Sequence, residues 1–406
     1  MIKSDTTFTQ TNGGITAPNG FRAAAVSCGI KSDALDLALI VSDTPASAAA
    51  MFTTNRTVAA PIAVCREHLK SSSGIARAIA VNSGCANACT GETGLTNAQL
   101  MSRVLASAIN CPTEQTLVAS TGVIGMPLEV SKIESGIITA ARNLDRQSNQ
   151  EAARAIMTTD PWPKETAVRV DTPAGSFTIG GMVKGSGMIE PMMATMLAFL
   201  TTDASIDSLQ LRRALSSVTD ETFNSISVDG EPSTNDSVFL LANGSSGISV
   251  SNAIYPFFIN GLRLVCEKLA KEIVRGGEGA TKLVSIRVTG ANTGHDAKRA
   301  ARAIANSLLV KTALHGADPN WGRFIAVAGR AGVTFEPSRA KVGIGPVVLY
   351  ENETAWPDRE IEASKHMNGD EVDVVVDLGT MGDEEATIWT CDLSAEYIRI
   401  NADYRT

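Results

Sequence analysis

The chain has 406 residues, 44% of them hydrophobic, which is enough for a large core and, at about 100–200 residues per domain, two to three structural units. It carries 35 Lys and Arg against 43 Asp and Glu, a formal charge of −8 with no concentrated basic stripe. That balance excludes nucleic acid and anionic membrane surfaces as expected partners.

The opening Met1-Ile-Lys-Ser-Asp-Thr-Thr7 has no basic segment followed by an apolar one, so no secretion signal is expected. Short apolar, β-branched or Ala-rich segments at Leu37 to Val41, Pro61 to Val64 and Ile75 to Val81 predict strands. Asn97 to Ala108 places Leu100, Val104 and Ala108 at four-residue spacing and predicts a helix, as does the Ala-rich Glu151 to Met157. Further helices are expected over Ser208 to Val218 and Ile259 to Val274, the second stopped by Gly276 and Gly277. A strand is expected at Lys282 to Val288, then a helix from about Asp296 to Leu309. Late strands are expected at Val342 to Tyr350, Glu371 to Leu378 and Thr387 to Cys391. Strands this closely spaced do not suit regular βαβ units. The expected class is mixed α/β, with stacked β-sheets flanked by helices in αββα-like layers and a second, smaller α/β domain. Composition marks no domain boundary.

Seven cysteines, Cys28, Cys65, Cys85, Cys89, Cys111, Cys266 and Cys391, are spread along the chain and read as reduced, mostly buried thiols. Cys85 and Cys89 lack further ligands at useful spacing, since His68, His295, His315 and His366 form no paired motif. No metal centre is expected. Apolar runs such as Met192 to Leu200 fall far short of the roughly 18 residues of a membrane span, so a soluble cytoplasmic protein is expected.

The segment from Gly180 to Ala204 holds two oddities. Gly180, Gly181, Gly185 and Gly187 surround Lys184, which permits unusual backbone angles and close ligand approach near a cation. The order fits neither a phosphate loop, where Lys follows its glycine, nor a dinucleotide loop, because Glu190 stands where a third glycine is needed. Thr195 is the lone hydroxyl in the apolar run from Met192 to Leu200. On spacing alone it reads as a β-forming core threonine whose hydroxyl bonds the backbone.

The run Lys184-Gly-Ser-Gly-Met-Ile-Glu-Pro-Met-Met-Ala-Thr-Met-Leu197, followed by Thr-Thr-Asp-Ala at 201–204, resembles the signature of the glutamate/ornithine N-acetyltransferase family of arginine biosynthesis. The resemblance covers nearly the whole chain. It continues through Asn-Ser-Gly-Cys-Ala-Asn at 82–87, Ser-Thr-Gly-Val-Ile-Gly at 120–125, Met-Thr-Thr-Asp at 157–160, Gly-Gly-Glu-Gly-Ala-Thr-Lys at 276–282 and Asp-Pro-Asn-Trp-Gly-Arg at 318–323. One departure is Asp229-Gly-Glu-Pro-Ser-Thr-Asn-Asp236, where the family more often has Asp-Gly-Asp-Thr-Ser-Thr-Asn-Asp.

The resemblance implies self-cleavage between Ala194 and Thr195, giving an α chain of residues 1–194 and a β chain of 195–406 that begins with the nucleophile. It further implies ping-pong transfer of acetyl from N-acetylornithine to glutamate through an acetyl-Thr195 intermediate. Thr121 and Gly122 match the oxyanion pair, and Thr158, Lys184, Thr195, Glu278, Asn401 and Thr406 the substrate-binding positions. Taken singly, Ser-Thr-Gly is also an ordinary turn, Lys184 a solvated lysine and the others turn or surface residues. Asp318 to Arg323 reads as a structural corner ordered by Trp321 and Arg323. No cofactor is implied. Acetyl-CoA as a second donor is left open, and the assembly implied by analogy is two α and two β chains. An autoprocessed amidohydrolase or aminopeptidase, passing the acyl group to water, is the alternative.

Overall fold

The structure, a computed structural model, describes residues 8–190 and 196–403, which form sixteen strands and eleven α-helices. The first part of the chain lays down β1 (Phe8–Thr11), β2 (Phe21–Val26), β3 (Leu37–Phe52), α1 (Ala60–Ser71), β4 (Ile75–Cys85), α2 (Gly91–Ile109) and β5 (Thr116–Val123). There follow α3 (Val130–Arg142), α4 (Asn149–Ala155), β6 (Lys164–Thr172), β7 (Gly175–Lys184), β8 (Leu197–Thr202), α5 (Ser208–Glu221), β9 (Ile226–Ser227), β10 (Ser237–Ala242) and α6 (Tyr255–Arg275).

All of these strands except β9 join one nine-stranded sheet in the order β1-β6-β7-β8-β10-β3-β4-β5, with β2 also paired to β3. The sixteen-residue β3 carries the sheet from one wing to the other. Leu37 to Ser42 pairs with β2, whereas Ser47 to Phe52 pairs with β10, and the register to β4 shifts between Val41 and Ala46. The Ala-rich second half of β3 thus extends the strand expected at Leu37 to Val41. Side chains alternate across the sheet. Leu197 and Phe199 of β8 join a core that includes Met101 and Leu105 of α2 and Ile133 and Ile137 of α3. Ala198 and Leu200 join one that includes Leu211 and Leu215 of α5 and Leu262 and Leu269 of α6. Helices α5 and α6 pack on the wing that holds β6, β7 and β10, and α1, α2 and α3 on the wing that holds β2, β5 and the first half of β3.

The remainder builds the smaller α/β unit: β11 (Leu283–Ala291), α7 (Gly294–Ala305), α8 (Leu308–His315), α9 (Trp321–Arg330), β12 (Lys341–Ile344), β13 (Val347–Glu351), β14 (Thr354–Ala355), α10 (Glu360–Met367), β15 (Glu371–Asp377), β16 (Glu384–Cys391) and α11 (Ala395–Asp403). Its seven-stranded sheet runs β14-β13-β12-β15-β11-β16-β9 and has its own core, including Ile286, Ile304, Phe324 and Val374. Among the described residues, no helix is long and apolar enough to cross a membrane.

Three local expectations are corrected. Pro61 to Val64 is not a strand but the first turn of α1. Pro61 sits at the helix start, where its missing N–H costs nothing, and Pro61, Ile62, Val64 and Cys65 form the buried face. The helix expected over 296–309 breaks at Asn306 and Ser307, where the Ser307 hydroxyl caps α8 by accepting from Val310 N–H. The strand expected at Val342 to Tyr350 is a hairpin, β12 and β13, turning at Gly345 with φ +55°.

Candidate active site

The ends of β5 and β7 open onto one cavity of about 350 Å³ whose lining includes Thr121, Gly122, Thr158, Lys184, Glu278 and Asn401. This volume suits a small amino-acid derivative. Lys184 is the last residue of β7 and pairs in register with Leu197, the first of β8; Met196, just before it, also lines the cavity.

Thr121 and Gly122 are held by the neighbouring parallel strand, in which Ser83 stands opposite Thr121 and Gly84 opposite Gly122. Gly122 has φ +126°, and a Cβ there would lie 2.3 Å from the Gly84 carbonyl carbon. Only glycine satisfies both the backbone angle and the close approach. This contact explains why the motifs at 82–87 and 120–125 occur together. The same pair of segments is tied by Ser120 Oγ donating to Asn82 Oδ1 at 2.6 Å, while Asn235 Nδ2 donates to the carbonyls of Ala86 at 2.6 Å and Ser120 at 2.7 Å.

Lys184 is buried, and its Nζ donates to Thr121 Oγ1 at 3.2 Å. Burial is the largest influence on its ammonium and lowers the pKa from the usual lysine value; Asp160 opposes this and Lys164 reinforces it. Asp160 organises this corner. Its Oδ1 accepts from Lys164 Nζ at 2.6 Å and Gly185 N–H at 2.7 Å, and its Oδ2 from Thr158 N–H at 3.1 Å. Burial resists ionisation of Asp160, but Lys164, Lys184 and the Gly185 amide outweigh it and hold its carboxyl below the usual carboxylate range.

Another part of the lining is acidic. Glu278 is buried and its Oε2 accepts from Asn401 Nδ2 at 2.7 Å, while its backbone N–H donates to Ser186 O at 2.8 Å. A Cβ on Gly187 would lie 2.4 Å from Glu278 Oε2, so glycine there leaves room for the carboxylate. Asp229 accepts from the backbone N–H of Met188 and of Ile189, each at 2.7 Å, and from Tyr397 Oη at 3.3 Å. Burial, reinforced by Asp229, raises the pKa of the Tyr397 hydroxyl. The lining therefore combines a lysine amine with carboxylates, a pattern suited to a zwitterionic amino-acid ligand.

Against known proteins, the ArgJ family profile matches residues 22–406. The chain belongs to the ArgJ family. It is 46% identical over 400 residues to the arginine biosynthesis bifunctional protein ArgJ of Symbiobacterium thermophilum, covering 97% of this chain and 99% of that one. The corresponding ArgJ of Dehalococcoides mccartyi is 46% identical over 404 residues, covering 97% and 98%. Among solved structures, the arginine biosynthesis bifunctional protein argJ of Bacillus halodurans superposes with a TM-score of 0.50 at 43% identity, covering 52% of this chain and 100% of that chain.

Within this ArgJ-family chain, six of the residues singled out in the sequence, Thr121, Gly122, Thr158, Lys184, Glu278 and Asn401, come together on the cavity wall. Ala194, Thr195 and Thr406 lie outside the described residues. Trp321 lines another part of the molecule, stacked on Tyr350 with ring centroids 4.5 Å apart, and Arg323 Nη1 donates to Leu309 O at 2.6 Å. Of the cysteines, Cys65, Cys85, Cys266 and Cys391 are buried and Cys89 is exposed.

Four polar contributors were not singled out from sequence: Asp160, Asp229, Asn235 and Tyr397. Asp160 closes the Met-Thr-Thr-Asp motif, and Asp229 and Asn235 belong to the acidic loop noted as a departure, so those motifs carried a signal. Glu231 and Pro232, the departing residues of that loop, line the cavity. Tyr397 carried no signal of its own, since only the folding of α11 against Asp229 gives it a role.

Proposed function

We propose that this ArgJ-family chain is a self-cleaving acetyltransferase that moves acetyl from N-acetylornithine to glutamate, releasing ornithine and N-acetylglutamate. The observation that carries the reading is the convergence on one cavity of Thr121, Gly122, Thr158, Lys184, Glu278 and Asn401, contributed by segments spread over nearly 300 positions of sequence. The names of the full-length relatives, both bifunctional proteins of arginine biosynthesis, point the same way.

In the first stage the Thr195 hydroxyl attacks the Ala194 carbonyl carbon, the Ala194–Thr195 amide bond breaks, and the acyl group moves to the Thr195 oxygen as an ester. Water then hydrolyses the ester, leaving a carboxylate on Ala194 and a free α-amine on Thr195. Chains of 194 and 212 residues result. The Bacillus halodurans chain supports this division, since it matches over 100% of its own length while covering 52% of this chain, the share a 212-residue fragment would take.

In the second stage the α-amine, with an unperturbed pKa of about 7.7–8.0, accepts the Thr195 hydroxyl proton. The hydroxyl oxygen attacks the acetyl carbonyl of N-acetylornithine, the C–N bond breaks, and ornithine leaves with that proton. Glutamate's amine then attacks the acetyl ester and returns Thr195 to its free form. Thr121 and the Gly122 region donate to the oxyanion in both halves; one such donor is worth about 3–4 kcal/mol. The Lys184 cation beside them disfavours protonation of the neighbouring amine and pairs with substrate carboxylate, while Glu278, oriented by Asn401, receives the substrate ammonium. The two chains remain assembled around this site, two of each in the complex, in the cytoplasm.

The reading is tested by incubating the purified protein with N-acetylornithine, with and without glutamate. Glutamate-dependent N-acetylglutamate is expected; acetate release with no N-acetylglutamate would identify a hydrolase instead. Replacing the donor by acetyl-CoA in the same assay measures whether the chain also takes that donor.

A further inference from the structure

Residues Met188, Ile189 and Glu190 are held unusually firmly for a loop. The Asp229 carboxylate takes the N–H groups of Met188 and Ile189, each at 2.7 Å. The Ile189 carbonyl accepts from Val228 N–H at 2.8 Å and Ser227 Oγ at 3.3 Å. Glu190 then reaches the smaller unit: its Oε1 accepts from Asn306 Nδ2 at 2.7 Å and Arg302 Nη1 at 3.3 Å, with both charged side chains largely shielded. Arg302 and Asn306 are themselves fixed, Arg302 Nη2 donating to Asn224 O at 2.6 Å and Asn306 Oδ1 accepting from Ser227 Oγ at 2.5 Å. None of Glu190, Arg302 and Asn306 lines the cavity. In sequence, Glu190 stands four residues before Ala194, and Met196, on the other side of the cut, is pinned by Ser237 N–H donating to its carbonyl at 2.9 Å.

We infer that Glu190, through Arg302 and Asn306 at the end of α7, is a positioning residue for self-cleavage, making the smaller α/β unit a jig for the cut. The inference rests on the self-cleavage reading above. Attack of a hydroxyl on the preceding carbonyl requires reacting atoms about 3–3.5 Å apart, and an error of about 1 Å costs on the order of 100-fold in rate. Both flanks of the reacting segment are fixed, one to β10 through Met196 and one to α7 through Glu190, so the separation of the flanks is set by how the two units pack. Without the Glu190 contacts the nearest held residue on that side, among the described residues, is Ile189, one position further from the cut, and no cavity-lining side chain is altered.

The experiment follows the first-order conversion of freshly synthesised full-length chain to fragments by intact mass, for the wild type, Thr195→Ala, Glu190→Ala, Glu190→Gln, Arg302→Ala and the Glu190→Ala/Arg302→Ala pair. Thermal stability is compared in the uncut Thr195→Ala background. Glu190→Ala is expected to slow cleavage about tenfold or more, Glu190→Gln, which still accepts from Asn306, to restore part of the rate, and the double variant to be no slower than the slower single one. Ile304→Ala, in the buried core of the same helix, is the control for general destabilisation. Cleavage of Glu190→Ala at the wild-type rate, or slowing by Ile304→Ala equal to that of Glu190→Ala at matched stability, overturns the inference. A wild-type chain that never cleaves overturns the self-cleavage reading instead, so the two failures are distinguishable.

Discussion

Asp160 and Lys164 form an ion pair at 2.6 Å in which neither side chain is exposed to solvent, and Asp160 also accepts from the backbone N–H of Thr158 and of Gly185. Such a pair contributes little over an apolar substitute but is expensive to break, because the surviving charge stays buried. Asp160→Asn is therefore expected to cost about 3–5 kcal/mol, measured by urea unfolding at pH 7. The folded-state carboxyl titrates below its unfolded value, so its contribution is present above the unfolded pKa and lost as pH falls through the folded one. The gap between wild type and variant should close in acid; a gap unchanged down to pH 2 would contradict this.

Lys184 has the opposite sign. Burial lowers its pKa, so the charged side chain opposes folding at neutral pH, and the stability of the fold rises with pH between its lowered pKa and the unfolded value of about 10.4. Lys184→Met should keep or raise the melting temperature at pH 7 while reducing acetyl transfer at least about tenfold, as expected for loss of one charge-assisted contact. A variant that melts lower and transfers normally would remove Lys184 from the site.

Gly122 and Gly125 offer a paired test. Both have positive φ, but a Cβ on Gly122 meets backbone at 2.3 Å whereas one on Gly125 meets nothing within 4 Å. Gly125→Ala should show only the backbone cost of about 1–3 kcal/mol. Gly122→Ala should lose more stability and, where soluble, at least about 100-fold in turnover if Thr121 and Gly122 supply the oxyanion donors as proposed. Equal behaviour of the two variants would argue against the Gly84 contact as the reason for glycine.

Glu278→Gln and Asn401→Ala should separate binding from chemistry. Loss of a hydrogen bond to a charged group is worth about 1.5–3 kcal/mol, which corresponds to a rise in KM for N-acetylornithine of about 10–100-fold. Asn401→Ala, acting through the orientation of Glu278, should give the smaller rise. A fall in kcat with KM unchanged would move Glu278 from substrate binding to another role.

Much of the site could be read in the sequence because its motifs are local, while their meaning is not. Gly122 is recognisable as part of Ser-Thr-Gly, but the reason for it lies 38 positions upstream in Gly84, a relationship made only by the β4–β5 pairing. Asn235 bonds carbonyls at Ala86 and Ser120, more than 100 positions away, and no periodicity reports such a bond. In the fold, elements with clear 3.6-residue or alternating patterns came through, as in α2, α6 and β15. Pro61 to Val64 misled because four apolar residues do not distinguish a strand from a first helical turn, and the deciding signal was the proline at the helix start together with the polar residues that follow.

The acetyl-enzyme itself can be weighed. The protein is incubated with N-acetylornithine in the absence of glutamate, quenched in acid, and its chains are weighed. Two chains divided at Ala194–Thr195 are expected, with the chain beginning at Thr195 heavier by one acetyl group on that residue, the label disappearing when glutamate is added. An uncut 42.5 kDa chain, or N-acetylglutamate formed with no acetylated Thr195 at any time, would contradict the proposed function.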